Sequence, residues 1–215
     1  MKRSAASLLL SVCCLLGAQA ALGGMAKDPR GWLEQMSAAM NQMTYQGTFV
    51  YVHDDQLETV RITHVSDDQG VRERMVSLSG SPREVLRDSN GVRWVLGEEA
   101  SVLSDSTFNR SVFPQLPPDL VSQAGESYSF KFGGETRVAG HAAKIVKVLP
   151  RDHYRYGYSL WLEKNSGLLL KWELVDSKRT ALAQLMFTDL RLGSAVDKDE
   201  LTASGSVQDY ETVQS

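Results

Sequence analysis

Residues 46–65 read Gln46-Gly47-Thr48-Phe49-Val50-Tyr51-Val52-His53-Asp54-Asp55-Gln56-Leu57-Glu58-Thr59-Val60-Arg61-Ile62-Thr63-His64-Val65. The first eight are rich in β-branched and aromatic types, which predicts a strand over 46–53. Asp54-Asp55-Gln56 reads as a turn, and 57–65 as the return strand. The same grammar continues downstream: a turn at Asp67-Asp68-Gln69-Gly70, a strand over 71–78, Gly80-Ser81-Pro82, and a short strand over 83–87. Asn90-Gly91 is a strong two-residue hairpin signal before a strand over 92–96. Short strands joined by tight turns favour antiparallel pairing.

Upstream of this meander the period changes to that of a helix. Asp28 suits an N-cap and Pro29 the first helical position, and Trp32, Leu33, Met36, Ala39, Met40 and Met43 recur at helical spacing. Downstream, 98–116 has weak periodicity and reads as a long loop before a short helix near 119–124. Strands resume over 128–132, then after a Gly133-Gly134 turn over 135–139, and again over 143–149, 154–163, 168–175 and 183–192. About ten antiparallel strands with few helices make an α+β pattern. An open sheet this large curls, so the expectation is a strongly curved antiparallel sheet with a few helices covering its concave side and an apolar groove between them. Trp32, Trp94, Trp161 and Trp172 suit either that groove or the core.

The first twenty residues read as a secretory signal peptide. Lys2 and Arg3 are the charged start, Leu8 to Leu16 the apolar stretch, and Ala18-Gln19-Ala20 the small-x-small cleavage site. Cleavage after Ala20 leaves 195 residues and shifts the net charge from −3 to −5. Cys13 and Cys14 are the only cysteines, so the exported chain has no thiol for a disulfide, a metal or a nucleophile. Its mildly acidic, mixed surface argues against nucleic acid as a partner.

No catalytic constellation stands out: there is no G-x-S-x-G elbow, H-E-x-x-H helix or glycine-rich phosphate loop. His53 and His64 flank the first hairpin and, with Asp54 or Asp55, would be the nearest thing to a zinc site; surface polar residues are the stronger reading. No cofactor is expected. The densest polar feature is Pro150-Arg151-Asp152-His153-Tyr154-Arg155-Tyr156-Gly157-Tyr158, which mixes guanidinium groups with tyrosines just before a strand. Such a patch suits an acidic peptide or a phosphorylated headgroup.

These motifs also resemble a known family. Gln46-Gly47-Thr48-Phe49-Val50-Tyr51, then Arg72-Glu73-Arg74 with Pro82-Arg83-Glu84-Val85, are similar to the RseB/MucB family of periplasmic regulators. The longest likeness runs from Arg137-Val138-Ala139-Gly140 through Arg155-Tyr156-Gly157-Tyr158 and Leu160-Trp161-Leu162 to Leu170-Lys171. The resemblance implies a half-open β-barrel like the lipoprotein carriers LolA and LolB, a periplasmic location and no enzymatic activity. It implies binding to the periplasmic region of a membrane-spanning anti-sigma factor, protection of that factor from proteolysis, and a response to an acyl chain, lipoprotein or lipopolysaccharide-derived ligand. It also implies possible self-association through a smaller C-terminal domain, which this sequence does not include.

The resulting expectation is a signal peptide over 1–20, a half-barrel domain over 28–192 and a polar tail over 193–215. Phe49, Tyr51, Trp94, Leu96, Trp161 and Trp172 are the expected groove residues, with Phe113 and Leu120 on a proline-rich lid. Arg151, Tyr154, Arg155 and Tyr156 are the expected partner contacts. A stand-alone lipid or lipoprotein carrier is the alternative function. A hydrolase finds no nucleophile and base pair.

Overall fold

The computed structural model describes residues 27–96, 101–105, 127–193 and 195–202. Helix α1 (Pro29–Gln42) starts where expected. Asp28 is extended, and its carboxylate accepts from the backbone N–H of Arg30 and Gly31 at 3.0 Å, satisfying donors that a helix start leaves free. Trp32, Leu33, Met36 and Ala39 form its buried stripe. Met43 then turns extended and delivers the chain into the sheet.

Among the described residues there are eleven strands: β1 (Tyr45–His53), β2 (Gln56–Asp67), β3 (Gly70–Ser77), β4 (Arg83–Asp88), β5 (Gly91–Leu96), β6 (Ser101–Asp105), β7 (Tyr128–Val138), β8 (His141–Pro150), β9 (Gly157–Glu163), β10 (Leu169–Val175) and β11 (Ala181–Leu192). They form one antiparallel sheet in the order β6-β5-β4-β3-β2-β1-β11-β10-β9-β8-β7. Two meanders, β1 to β6 and β7 to β11, therefore meet along a single seam between β1 and β11. Among the described residues the sheet is open between β6 and β7, yet β11 touches β7 four strands away, so it is rolled into a half-open barrel. Helix α1 packs against β7 and β8. The concave face carries the core, with Leu33, Ile62, Val146, Leu160, Leu162, Leu170 and Leu185 fully buried.

The seam depends on Gly47. A Cβ there would lie 2.4 Å from the Asp189 carbonyl oxygen and 3.1 Å from Leu190 Cα. Beside it the β1–β11 register shifts between Thr48 and Phe49, a bulge that tightens the local bend.

Several elements differ from expectation. Residues 128–138 form one strand instead of a hairpin. Gly133 lies where a Cβ would meet Ile145 at 2.8 Å, Gly134 has φ +109°, and together they make a bulge opposite β8. The expected loop over 98–116 contains β6. The expected helix near 119–124 lies outside the described residues, as does the signal peptide. The segment after Gly193 begins with a short 3-10 turn, Lys198–Leu201, that packs on β3, where Arg74 donates to the Glu200 carbonyl.

Candidate functional site

The β1–β2 turn has two central residues, with His53 opposite Gln56 and both Asp54 and Asp55 at positive φ, the hairpin geometry that matches strand twist. That turn sets the register of the concave wall. Phe49 lies opposite Val60 and Tyr51 opposite Glu58; Val60 meets Ser77, Ile62 meets Met75, and Val85 meets both Met75 and Trp94. On the other side of the seam, Leu185 lies opposite both Tyr51 and Trp172.

These rows enclose a pocket of about 470 Å³, within the roughly 300–1,000 Å³ span of small-molecule sites. Its apolar wall is Phe49, Tyr51, Val60, Met75, Val85, Trp94, Trp172 and Leu185, with Glu58, Ser77 and Arg83 as polar groups. The aromatic side chains brace one another. Phe49 meets Phe187 edge-on at 5.7 Å, and Tyr51 lies 6.3 Å from Trp172 and stacks on His53. Burial, together with Glu58 and Asp54, pushes the Tyr51 phenol above its ordinary value, so it remains a neutral O–H group. The Ser77 hydroxyl donates to the Ser79 carbonyl at 2.7 Å and is thus already engaged.

A second cavity of about 580 Å³ adjoins the first at the end of the sheet where β1 turns into β2. It is lined by Gln56, Leu57 and residues of the β3–β4 turn, and shares Glu58, Ser77 and Arg83 with the inner pocket. The Arg83–Glu58 ion pair, 2.6 Å and roughly two-fifths exposed, therefore stands at the boundary between the two spaces.

Of the expected groove residues, the structure brings Phe49, Tyr51, Trp94 and Trp172 together in the inner pocket. Leu96 ends β5 opposite Arg83, next to the mouth; Phe113 and Leu120 lie outside the described residues. Trp161 is a correction. It pairs with Lys171 and Ile145, whereas Trp172 pairs with Leu160, so the two tryptophans occupy adjacent strands but opposite faces. Trp161 is on the convex face, with the Lys171 ammonium 4.4 Å above its ring. Sequence reasoning missed Glu58, Val60, Met75, Ser77, Arg83, Val85 and Leu185. The two-residue turn at Asp54-Asp55 is the signal that finds Glu58 and Val60, because it fixes which β2 residues face Phe49 and Tyr51; the others are placed by pairings between strands further along the sheet.

The reading of His64 as a surface polar residue is corrected, and His53 and His64 do not face each other. His64 lies opposite Tyr45, at the far end of β1 and β2 from His53. Instead of being a surface group it is fully buried, stacked on Tyr45 at 4.7 Å, and its Nδ1–H donates to the Met43 carbonyl. Tyr45, His64, Glu73 and Arg87 form a directly opposed row across β1 to β4, which makes a polar floor at the closed end of the concave face. Burial lowers the imidazole below its ordinary value, with Arg87 adding to the effect, and burial raises the Glu73 carboxyl against the pull of Arg87. Among the described residues no group of three or more His, Asp or Glu is placed to hold a metal.

Arg151, Tyr154, Arg155 and Tyr156 belong to the β8–β9 loop, at the same end of the sheet as the pocket mouth. Asp152 organises the loop by accepting from the Tyr154 N–H at 3.0 Å and from the Arg155 guanidinium at 2.7 Å. Arg151 holds it to the start of β7 through the Ser127 and Tyr128 carbonyls. Tyr154 and Tyr156 then project into solvent at 95% and 54% exposure.

A half-open barrel with a braced aromatic pocket and an organised rim defines a binding domain rather than a reaction centre. The family comparison gives that class a particular identity: the MucB/RseB N-terminal domain profile matches residues 28–204, and the chain belongs to that family. It is 36% identical to the sigma factor AlgU regulatory protein MucB of Pseudomonas aeruginosa, over 94% of this chain and 62% of that protein. It is 25% identical to the sigma-E factor regulatory protein RseB of Escherichia coli K12, over 71% of this chain and 48% of that one. The P. aeruginosa MucA/MucB complex structure superposes with a TM-score of 0.68 at 33% identity, covering 82% of this chain and 61% of the solved one. The chain thus spans about half to three-fifths of its relatives' length. The relatives that carry these names are sigma-factor regulatory proteins, and the chain, like the family, is periplasmic.

Proposed function

We propose that this domain is a negative regulator of a sigma-E-type envelope stress response. It binds the periplasmic region of a membrane-spanning anti-sigma factor, through a surface that includes the loop bearing Arg151, Tyr154, Arg155 and Tyr156, and shields that factor from proteolysis. The inner pocket takes the acyl chain of a lipid, lipoprotein or lipopolysaccharide-derived molecule, and occupancy weakens the hold on the anti-sigma factor. The observation that carries this reading is the joint placement of two features. The apolar pocket of Phe49, Tyr51, Trp94 and Trp172 lies toward the same end of the strands as the tyrosine loop, which supports a ligand and a partner acting at one rim. The MucA complexes solved for the P. aeruginosa relative support the choice of partner class.

The test is a titration of a fluorescent acyl probe into the chain and its Phe49→Ala and Trp172→Ala variants, with folding checked by circular dichroism. Saturable binding that weakens at least about tenfold, the equivalent of roughly 1.4 kcal/mol, is expected in folded variants. Undiminished binding would reject the pocket. A probe that binds while a labelled anti-sigma periplasmic segment does not would favour a carrier instead.

A further inference from the structure

Six large apolar or aromatic side chains are exposed among the described residues: Leu57, Leu78, Phe132, Tyr154, Tyr156 and Met186. Four of them stand at one end of the rolled sheet. Leu57 follows the β1–β2 turn, Leu78 begins the β3–β4 turn, and Tyr154 and Tyr156 lie on the β8–β9 loop. The other two are elsewhere. The Phe132 ring is covered by the Lys144 ammonium at 4.5 Å, and Met186 faces outward on the convex wall, opposite Val50. Both cavities sit toward the end that carries the four. Resting on the acyl reading of the inner pocket, we propose that this rim docks on a phospholipid surface, so that the acyl chain passes from the bilayer into the pocket without crossing water.

The chemistry of the rim fits a lipid surface better than a protein groove. Hot-spot side chains of protein interfaces work by filling pockets on the partner and being ringed by other contacts. Here the four exposed side chains stand on three separate turns at one end of the sheet. Leucine enters the acyl boundary, and tyrosine, with its apolar body and polar tip, is the residue type enriched at that boundary. The display is also rigid. Asp152 fixes the β8–β9 loop through two hydrogen bonds, and the Leu78 N–H is tied to the Thr59 carbonyl at 2.7 Å, so exposure here is held in place by the backbone. Cations accompany the apolar tips. Arg151 on the same loop, and Lys178 and Arg179 on the β10–β11 turn, pair with no carboxylate among the described residues, and they lie where headgroup phosphates would be. Tyr154 and Tyr156 are also the expected contacts of the anti-sigma segment. Docking on lipid and holding the partner therefore compete for one loop, which gives the acyl signal a direct route to release.

The experiment is co-sedimentation of the chain with vesicles of phosphatidylethanolamine and phosphatidylglycerol. It compares the wild-type chain, the fourfold variant Leu57→Ser, Leu78→Ser, Tyr154→Ser, Tyr156→Ser, and the convex-face control Met186→Ser. Binding of a soluble short-chain acyl probe is measured on each in parallel. Wild type and the control should sediment alike, and the fourfold variant should partition at least about tenfold less while binding the soluble probe as wild type does. Equal sedimentation of the fourfold variant, or none by wild type, would overturn the rim proposal. So would a fourfold variant that keeps its vesicle binding and loses only a labelled anti-sigma segment, since the rim would then be a protein interface. Failure of the wild-type chain to bind the soluble probe would overturn the acyl reading of the pocket; the vesicle comparison by itself decides the rim.

Discussion

Gly47→Ala probes the seam on which the pocket is built. The backbone of Gly47 is extended, so the added methyl meets no conformational penalty; the obstacle is space. It would stand 2.4 Å from the Asp189 carbonyl oxygen, 3.1 Å from Leu190 Cα and 3.1 Å from the Phe187 ring. Two of those three neighbours are backbone atoms of β11, which cannot rotate aside. The strands must part by about 1 Å to restore contact distance, and overpacking of a tight site costs about 1–3 kcal/mol. Because the β1–β11 ladder is the one joint between the two meanders, the upper end applies, about 3 kcal/mol. For a domain of this size that lowers Tm by about 6–12 °C. The displaced strand carries Phe187 and Leu185, which brace and line the pocket, so acyl-probe affinity should fall with stability. Urea unfolding followed by circular dichroism measures the first effect and probe titration the second. A loss below about 0.5 kcal/mol, the range of an ordinary surface change, would refute the close approach at the seam.

Other consequences follow from the buried polar groups. The lowered His64 imidazole means that the folded chain binds fewer protons than the unfolded chain as pH falls below the ordinary histidine value of 6.5, so stability drops on acidification through that range. The raised Glu73 carboxyl acts in the opposite sense, its contribution being lost as pH rises from 4.5 through its elevated folded value. His64→Gln should therefore flatten the stability loss between about pH 7 and 5.5 seen in urea unfolding; an unchanged slope would contradict this. The buried Glu163 carboxylate accepts from Asn165 and Ser166 backbone N–H groups at 2.9 and 2.7 Å and from the Ser166 hydroxyl, so Glu163→Ala should cost about 3 kcal/mol. At the pocket mouth, Glu58→Gln removes the carboxylate held by Arg83 and should raise affinity for acyl probes with an anionic head while leaving neutral-headed probes alone. Equal effects on both probe types would rule out a headgroup role for Arg83.

Much of the fold is legible in the sequence because turns and strand types are local signals. Asp28-Pro29 marks the helix start, Asn90-Gly91 the β4–β5 hairpin, and the β-branched run after Thr48 the seam strand. The failures come where long-range geometry overrides a local signal. Gly133-Gly134 has the composition of a tight turn but forms a bulge, because β8 runs past both glycines as one continuous partner. The sequence places Trp161 on a strand but not in a register; facing residues are set by pairing, and a single residue of slip exchanges the two faces. His64 reads as polar surface until the row Tyr45, His64, Glu73 and Arg87 is assembled from four strands. Reading Asp54-Asp55 as a two-residue turn, without Gln56, is the one local choice that would have placed Glu58 and Val60 in the pocket from sequence.

On the proposed function, an acyl chain in the inner pocket loosens the grip on an anti-sigma segment at the rim. The most direct measurement is the fluorescence anisotropy of a labelled anti-sigma periplasmic segment bound to the chain during titration with an acyl ligand, in wild type and in Ser77→Phe, which fills the pocket from its wall. A saturable fall in anisotropy is expected for wild type and no response for Ser77→Phe. A wild-type signal indifferent to the ligand, or an equal fall in both proteins, would contradict it.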